Sequence, residues 1–169
     1  QRRAWSRYWL VDPLDGTREF IKKNGEFTVN IALIDNGEPV LGVVYAPVMD
    51  WLLVGGRGLG AHWQRTGSSG AAVVARAGNP LRVAASRSHR DEKTQQYLDR
   101  IGSVETYGLG SSLKFCKIAT GEIDLYPRFG PTSEWDTAAA QAVLEAAGGG
   151  VYTLDGEPLR YNGKESLLN

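Results

Sequence analysis

The dipeptide Asn36-Gly37 and the two runs that flank it constrain this chain's fold more than any other feature. Before it, residues 27–34 alternate, with Phe27, Val29, Ile31 and Leu33 set against Thr28, Asn30 and Ala32. A period of two sends successive side chains to opposite faces of a sheet, so this run is predicted to be a strand. After it, Val40-Leu41-Gly42-Val43-Val44-Tyr45 supplies a partner. Asn-Gly accepts the positive φ of a tight hairpin turn, which makes the two runs antiparallel neighbours. Trp51-Leu52-Leu53-Val54 and Ala61-His62-Trp63-Gln64, bracketing Gly55, Gly56, Gly58 and Gly60, extend the meander. Upstream, Tyr8-Trp9-Leu10-Val11 reads as a short buried strand, ended at Asp12-Pro13 because proline cannot continue a central ladder.

The remainder is mixed. Small residues dominate 66–78, which predicts a loop holding at most one short edge strand and separates a strand-rich part (1–78) from a helix-strand part (79–169) of one domain. In the second part a strand is expected at 81–85, a polar surface helix at 91–101, a helix from about Ser111 to Ala119 stopped by Gly121, and a strand at 122–126. An alanine-rich helix over 135–147 ends at Gly148-Gly149-Gly150, and Asp155-Gly156 turns a last hairpin. This order of elements predicts an α/β fold.

Charge narrows the partners. Nineteen basic and nineteen acidic side chains cancel, so no global positive field collects a nucleic-acid polymer or an anionic membrane, and anion binding must be local. A single cysteine, Cys116, excludes an internal disulfide framework and fits a reducing, cytoplasmic setting. No apolar stretch approaches the roughly 20 residues of a transmembrane segment.

Two acidic motifs carry the chemistry. Asp12-Pro13-Leu14-Asp15-Gly16-Thr17 follows the first strand and Trp135-Asp136-Thr137-Ala138-Ala139 heads the last helix. Each has a plain structural reading: Asp-Pro and Asp-Gly are turn dipeptides, Thr17 could cap a helical turn, and Ser133-x-x-Asp136 resembles a capping box. Equally, a tight turn can aim two carboxylates and the Leu14 carbonyl at one point, while Gly16 and Thr17 present backbone N–H groups to an anion. Carboxylates, carbonyls and hydroxyls are the hard oxygen ligands that magnesium prefers.

In that order, the two motifs resemble those of the lithium-sensitive, magnesium-dependent phosphatases of the inositol monophosphatase superfamily. The resemblance covers essentially the whole chain and is nearest to the branch of bacterial 3'(2'),5'-bisphosphate nucleotidases. Supporting stretches are Phe20-Ile21-Lys22, Gly42-Val43-Val44-Tyr45-Ala46-Pro47, Ser86-Arg87-Ser88-His89, Gly110-Ser111-Ser112-Leu113-Lys114-Phe115-Cys116 and Tyr126-Pro127-Arg128. It implies a layered α-β-α-β-α sandwich and a cytoplasmic enzyme, which includes one peripheral at the inner membrane. It also implies two or more Mg2+ ions, lithium as inhibitor and a bisphosphorylated nucleotide as substrate. Carried over position by position, Asp12, the Leu14 carbonyl, Asp15 and Asp136 are the metal ligands. Gly16 and Thr17 hold the scissile phosphate, with Thr17 also positioning the attacking water. His89, Ser111, Lys114 and Arg128 surround the nucleotide. The implied reaction removes the 3'-phosphate of adenosine 3',5'-bisphosphate; an inositol or sugar phosphatase, or a non-catalytic nucleotide binder, is the alternative.

One departure bears on activity. The superfamily carries a Glu-Glu motif upstream of the first aspartate motif, and no residue from Gln1 to Val11 is acidic. With no initial methionine and a strand-like run within the first ten residues, the chain is expected to be a piece of a larger domain.

Overall fold

The computed structural model describes residues 1–74, 77–86 and 92–169. In chain order the elements are β1 (Arg7–Asp15), α1 (Thr17–Ile21), β2 (Thr28–Asp35), β3 (Glu38–Ala46), β4 (Trp51–Gly56), β5 (Gly60–Arg65) and β6 (Ser68–Ala71). They continue with β7 (Leu81–Ser86), α2 (Glu92–Ile101), β8 (Val104–Leu109), α3 (Leu113–Ala119) and α4 (Glu134–Ala146). The fold is mixed α/β, as its sequence order predicts.

Strands β1 to β6 form one antiparallel sheet in sequence order. Its β2–β3 turn is the Asn36-Gly37 hairpin, with both residues at positive φ (51° and 78°) as that turn requires. β1 is not the buried strand predicted for residues 8–11. It lies at the sheet edge, Trp9 is 58% exposed and Val11 48%, and the strand runs on past Pro13 to Asp15. An edge strand and a register irregularity are the two places where a sheet tolerates proline, and Pro13 has both: the pairing with β2 shifts between Asp12 and Asp15.

The sheet's inner face packs on α4. Ala32, Ile34, Val44, Leu53 and Trp51 are buried against it, together with Ala138, Ala139 and Val143 of the helix. The approach is close enough to dictate composition: a Cβ added at Gly42 would lie 2.0 Å from the Ala139 carbonyl oxygen. Alanines on the helix facing a glycine on β3 therefore let α4 settle onto the sheet and draw its N-terminus, with Asp136, toward the ends of β1 and β2. On the outer face, Val11, Ile31, Val43 and Val54 are in register across four strands and all remain partly or largely exposed.

β2 shows which of its two faces the fold uses. The buried set is Thr28, Asn30, Ala32 and Ile34, so its more polar residues point inward. Ala32 and Ile34 meet the core, and Thr28 and Asn30 occupy the same face at the end nearest the acidic motif.

A second, two-stranded parallel sheet joins β7 to β8. β8 has no alternating pattern and is mostly exposed, which is why periodicity does not reveal it. The strand expected over 122–126 is a single bridge, Val83 with Leu125, and the last hairpin is a single bridge, Tyr152 with Pro158, about Gly156. Arg82 of β7 holds the buried Asp124 carboxylate through two nitrogens, at 2.6 and 3.1 Å, which keeps that carboxyl below the ordinary aspartate range. Among the described residues no helix is long and apolar enough to cross a membrane.

Candidate active site

The end of β1 folds back on itself. The Leu14 N–H donates to Asp12 Oδ1 at 2.9 Å, and Gly16 turns the chain with φ 87° into α1. A side chain at Gly16 would meet the Glu26 carbonyl oxygen at 3.0 Å and Ser111 Cβ at 3.2 Å, so conformation and space both require glycine. Thr17 then opens α1 with its hydroxyl donating to the Leu14 carbonyl at 3.4 Å.

Asp15 is held from two elements. Its Oδ2 accepts the Ser112 N–H at 2.6 Å from the turn that begins α3, and the Asn30 amide and Thr28 hydroxyl from β2 at 3.4 Å each. Ser112 Oγ donates to Asn30 Oδ1 at 2.8 Å and lies 2.8 Å from the Thr28 hydroxyl. Ser112, Asn30 and Thr28 are fully buried, so this network has no water to move with and fixes the carboxylate's orientation.

Asp136 takes the capping role considered for it and also lies in the acidic cluster. Its carboxylate accepts the Ser133 N–H at 2.8 Å, completing a capping box at the start of α4. It also joins Asp12 and Asp15, one carboxylate oxygen of each lying within 4.8 Å of the others. Burial raises the Asp15 carboxyl from 3.8 to about 6, and the Asp136 charge adds to the rise. Asp136 is raised chiefly by burial too.

A cavity of about 1050 Å³ opens beside the cluster, and Asp15, Gly16, Thr17, Ser111, Lys114, Arg128 and Asp136 all line it. Residues drawn from both halves of the sequence therefore converge on one space, next to three carboxylates.

Along residues 1–169 the sequence matches the Inositol monophosphatase family. It is 54% identical to the 3'(2'),5'-bisphosphate nucleotidase CysQ of Escherichia coli K12 over 99% of this chain and 68% of that protein. The crystal structure of CysQ from Bacteroides thetaiotaomicron superposes with a TM-score of 0.91 at 45% identity, covering 99% of this chain and 69% of the other. A 2'AMP-bound structure of SaIMPase-II aligns with a TM-score of 0.77 at 25% identity, over 97% of this chain and 64% of that one. This chain belongs to the inositol monophosphatase family.

The cluster could hold a metal ion. Three carboxylates converge there, and the Lys114 ammonium, whose charge acts on Asp15, is itself lowered to about 8 by burial. A hard divalent cation would offset the burial, and the mutual repulsion added to it, that raise Asp15 and Asp136. Cys116 is no competing nucleophile, since burial lifts its thiol to about 12.

The anion-binding residues are arranged less simply than the motifs suggest. Ser111 is not inside a helix but precedes it, at φ 45°, with Ser112 as the residue that caps α3. Lys114 is only 5% exposed, and its ammonium donates to the Ser111 carbonyl at 2.6 Å and the Leu109 carbonyl at 3.4 Å. It reaches the cavity as a buried positive field, not as a solvated arm. Arg128 curls over its own loop, donating to the Gly130 and Pro131 carbonyls at 3.1 Å each. His89 lies outside the described residues.

Thr28, Asn30 and Ser112 were not singled out by motif reading. A signal was available: on β2 the face defined by Ile34 and Ala32 turns polar at Asn30 and Thr28 toward the acidic motif, which an ordinary core face does not do. Glu19 and Glu26 belong to the same neighbourhood. Glu19 is buried and lines the cavity, and Glu26 accepts the Gly110 N–H at 2.8 Å.

Proposed function

We propose that this protein is a magnesium-dependent phosphomonoester hydrolase that removes the 3'-phosphate of adenosine 3',5'-bisphosphate, giving AMP and phosphate. The corresponding 3'-phosphorylated sulfonucleotide would be a second substrate, and nucleotide recycling in sulfur assimilation the setting. The observation that carries the reading is the meeting of Asp12, Asp15 and Asp136, the last two on the wall of a cavity large enough for a bisphosphorylated nucleotide. Similarity to CysQ nucleotidases supports the choice of substrate.

Asp12, Asp15, Asp136 and the Leu14 carbonyl would hold the cations, which supply Lewis acidity toward the phosphoryl oxygens and lower the pKa of water. Gly16 and Thr17, at the turn into α1, would bind the scissile phosphate through their N–H groups. The Thr17 hydroxyl donates to the Leu14 carbonyl, so its oxygen is left to accept a hydrogen bond from the attacking water. That water adds to phosphorus as the bond to the ribose 3'-oxygen breaks, and the released oxygen takes up a proton. Ser111, Arg128 and the buried Lys114 charge would accommodate the second phosphate, with His89 nearby by family position. Lithium inhibition belongs to the same reading.

The test is phosphate release by the whole protein from adenosine 3',5'-bisphosphate and from inositol 1-phosphate, side by side with magnesium. Faster turnover of the nucleotide is expected. Preference for the inositol ester would overturn the substrate, and release from neither would overturn the catalytic reading.

A further inference from the structure

Much of the cavity wall lies outside the acidic cluster and the proposed phosphate-binding groups. Tyr97 of α2 and Phe129 of the loop before α4 both line it, their ring centroids 5.6 Å apart and their planes tilted by 57°. Both are partly exposed although they come from segments far apart in sequence. Each is held from behind. Thr94 and Leu98, which flank Tyr97 on α2, are buried, and the Arg128 guanidinium ties the Phe129 loop through the Gly130 and Pro131 carbonyls. Two fixed, half-wet aromatic rings beside an anion site suit a ligand that is charged at one end and flat and apolar at the other.

We propose that Tyr97 and Phe129 form a nucleobase platform, a substrate-binding element that selects base-bearing phosphate esters over polyol phosphates. The inference rests on the nucleotide reading above and adds the residues that enforce it. A base cannot enter between the rings, because that would need about 7 Å, twice the roughly 3.5 Å contact distance. The pair therefore acts as one unit, with the base stacked on the open face of one ring while the other ring buttresses it. Every base has a π face, so the platform recognises that a base is present and is tolerant of which one. A saturated inositol ring offers no such face.

The experiment measures kcat and KM of the whole protein for adenosine 3',5'-bisphosphate and for glycerol 2-phosphate, a base-free monoester, in Tyr97→Ala, Phe129→Ala and Phe129→Tyr. The two alanine variants are expected to raise KM for the nucleotide about tenfold. They should leave its kcat, and kcat/KM for glycerol 2-phosphate, within about twofold, and Phe129→Tyr should restore the nucleotide KM. Equal losses on both substrates, or an unchanged nucleotide KM, would overturn the platform. Should the unsubstituted protein hydrolyse only the base-free ester, the nucleotide reading itself falls and the platform with it.

Discussion

Replacing Asp15 with asparagine is expected to stabilise the metal-free protein at neutral pH and to abolish its stabilisation by magnesium. Burial, reinforced by the Asp136 charge, lifts the Asp15 carboxyl from 3.8 to about 6. At about 1.4 kcal/mol per tenfold change in proton affinity, the ionised carboxylate costs the metal-free fold up to roughly 3 kcal/mol. With the folded-state value above the unfolded one, the native state binds the proton more tightly. The group's favourable contribution is therefore complete below pH 3.8 and is lost as pH rises through about 6. Asparagine is neutral throughout and still offers an oxygen to the Ser112 N–H. The advantage of Asp15→Asn should be largest near pH 7, shrink between pH 6 and 4, and vanish below, at about 2–4 °C of melting temperature per kcal/mol for a chain of this size. Magnesium at about 1,000 times its dissociation constant adds about 4.1 kcal/mol to a protein that binds it, so the order of stabilities should reverse when the metal is added at that level. Thermal unfolding followed by circular dichroism from pH 4 to 7, with and without magnesium, reads both effects. A metal-free variant melting at or below the unsubstituted protein at pH 7, or gaining as much from magnesium, would refute the convergence of charge argued for this cluster.

Two further substitutions probe the supports of the site. Asn30→Ala removes a donor to Asp15 and the acceptor of the buried Ser112 hydroxyl, and should cost about 1–3 kcal/mol in urea unfolding and weaken magnesium binding about 10–100-fold by calorimetry. Gly42→Ala puts a methyl group against the Ala139 carbonyl, forcing α4 off the sheet at a cost of roughly 3 kcal/mol; because α4 carries Asp136, phosphate release should fall as well.

The parts of the fold that local rules describe were legible in the sequence. Asn36-Gly37 needs only its own φ values to make a hairpin, and Gly121, at φ 75°, ends a helix for the same local reason. What was not legible depended on neighbours. Pro13 reads as the end of a central strand unless β1 is known to be an edge. β8 has no apolar alternation, because it is held by parallel pairing to β7 and one turn of chain cannot show that. The candidate site divides along the same line. Motif order is enough to suggest that Asp12, Asp15 and Asp136 meet, whereas no motif shows that Lys114, expected beside the nucleotide, is drawn inward by two backbone carbonyls.

The network on Asp15 explains why the cluster and the cavity form one unit. Ser112 binds Asp15 through its backbone N–H and β2 through its hydroxyl, while its neighbours Ser111 and Lys114 face the cavity. A shift of the α3 start that displaced Ser111 would therefore also withdraw the shortest hydrogen bond to Asp15. Gly16 closes the loop from the other side, since its missing Cβ is what allows Ser111 to approach the acidic turn. One proposed cation ligand, Asp15, and the turn that carries Ser111 thus share a set of buried hydrogen bonds. Filling either half with its charged ligand should order the other, and buried polar groups on β2 are retained where a purely structural strand would carry valine or isoleucine.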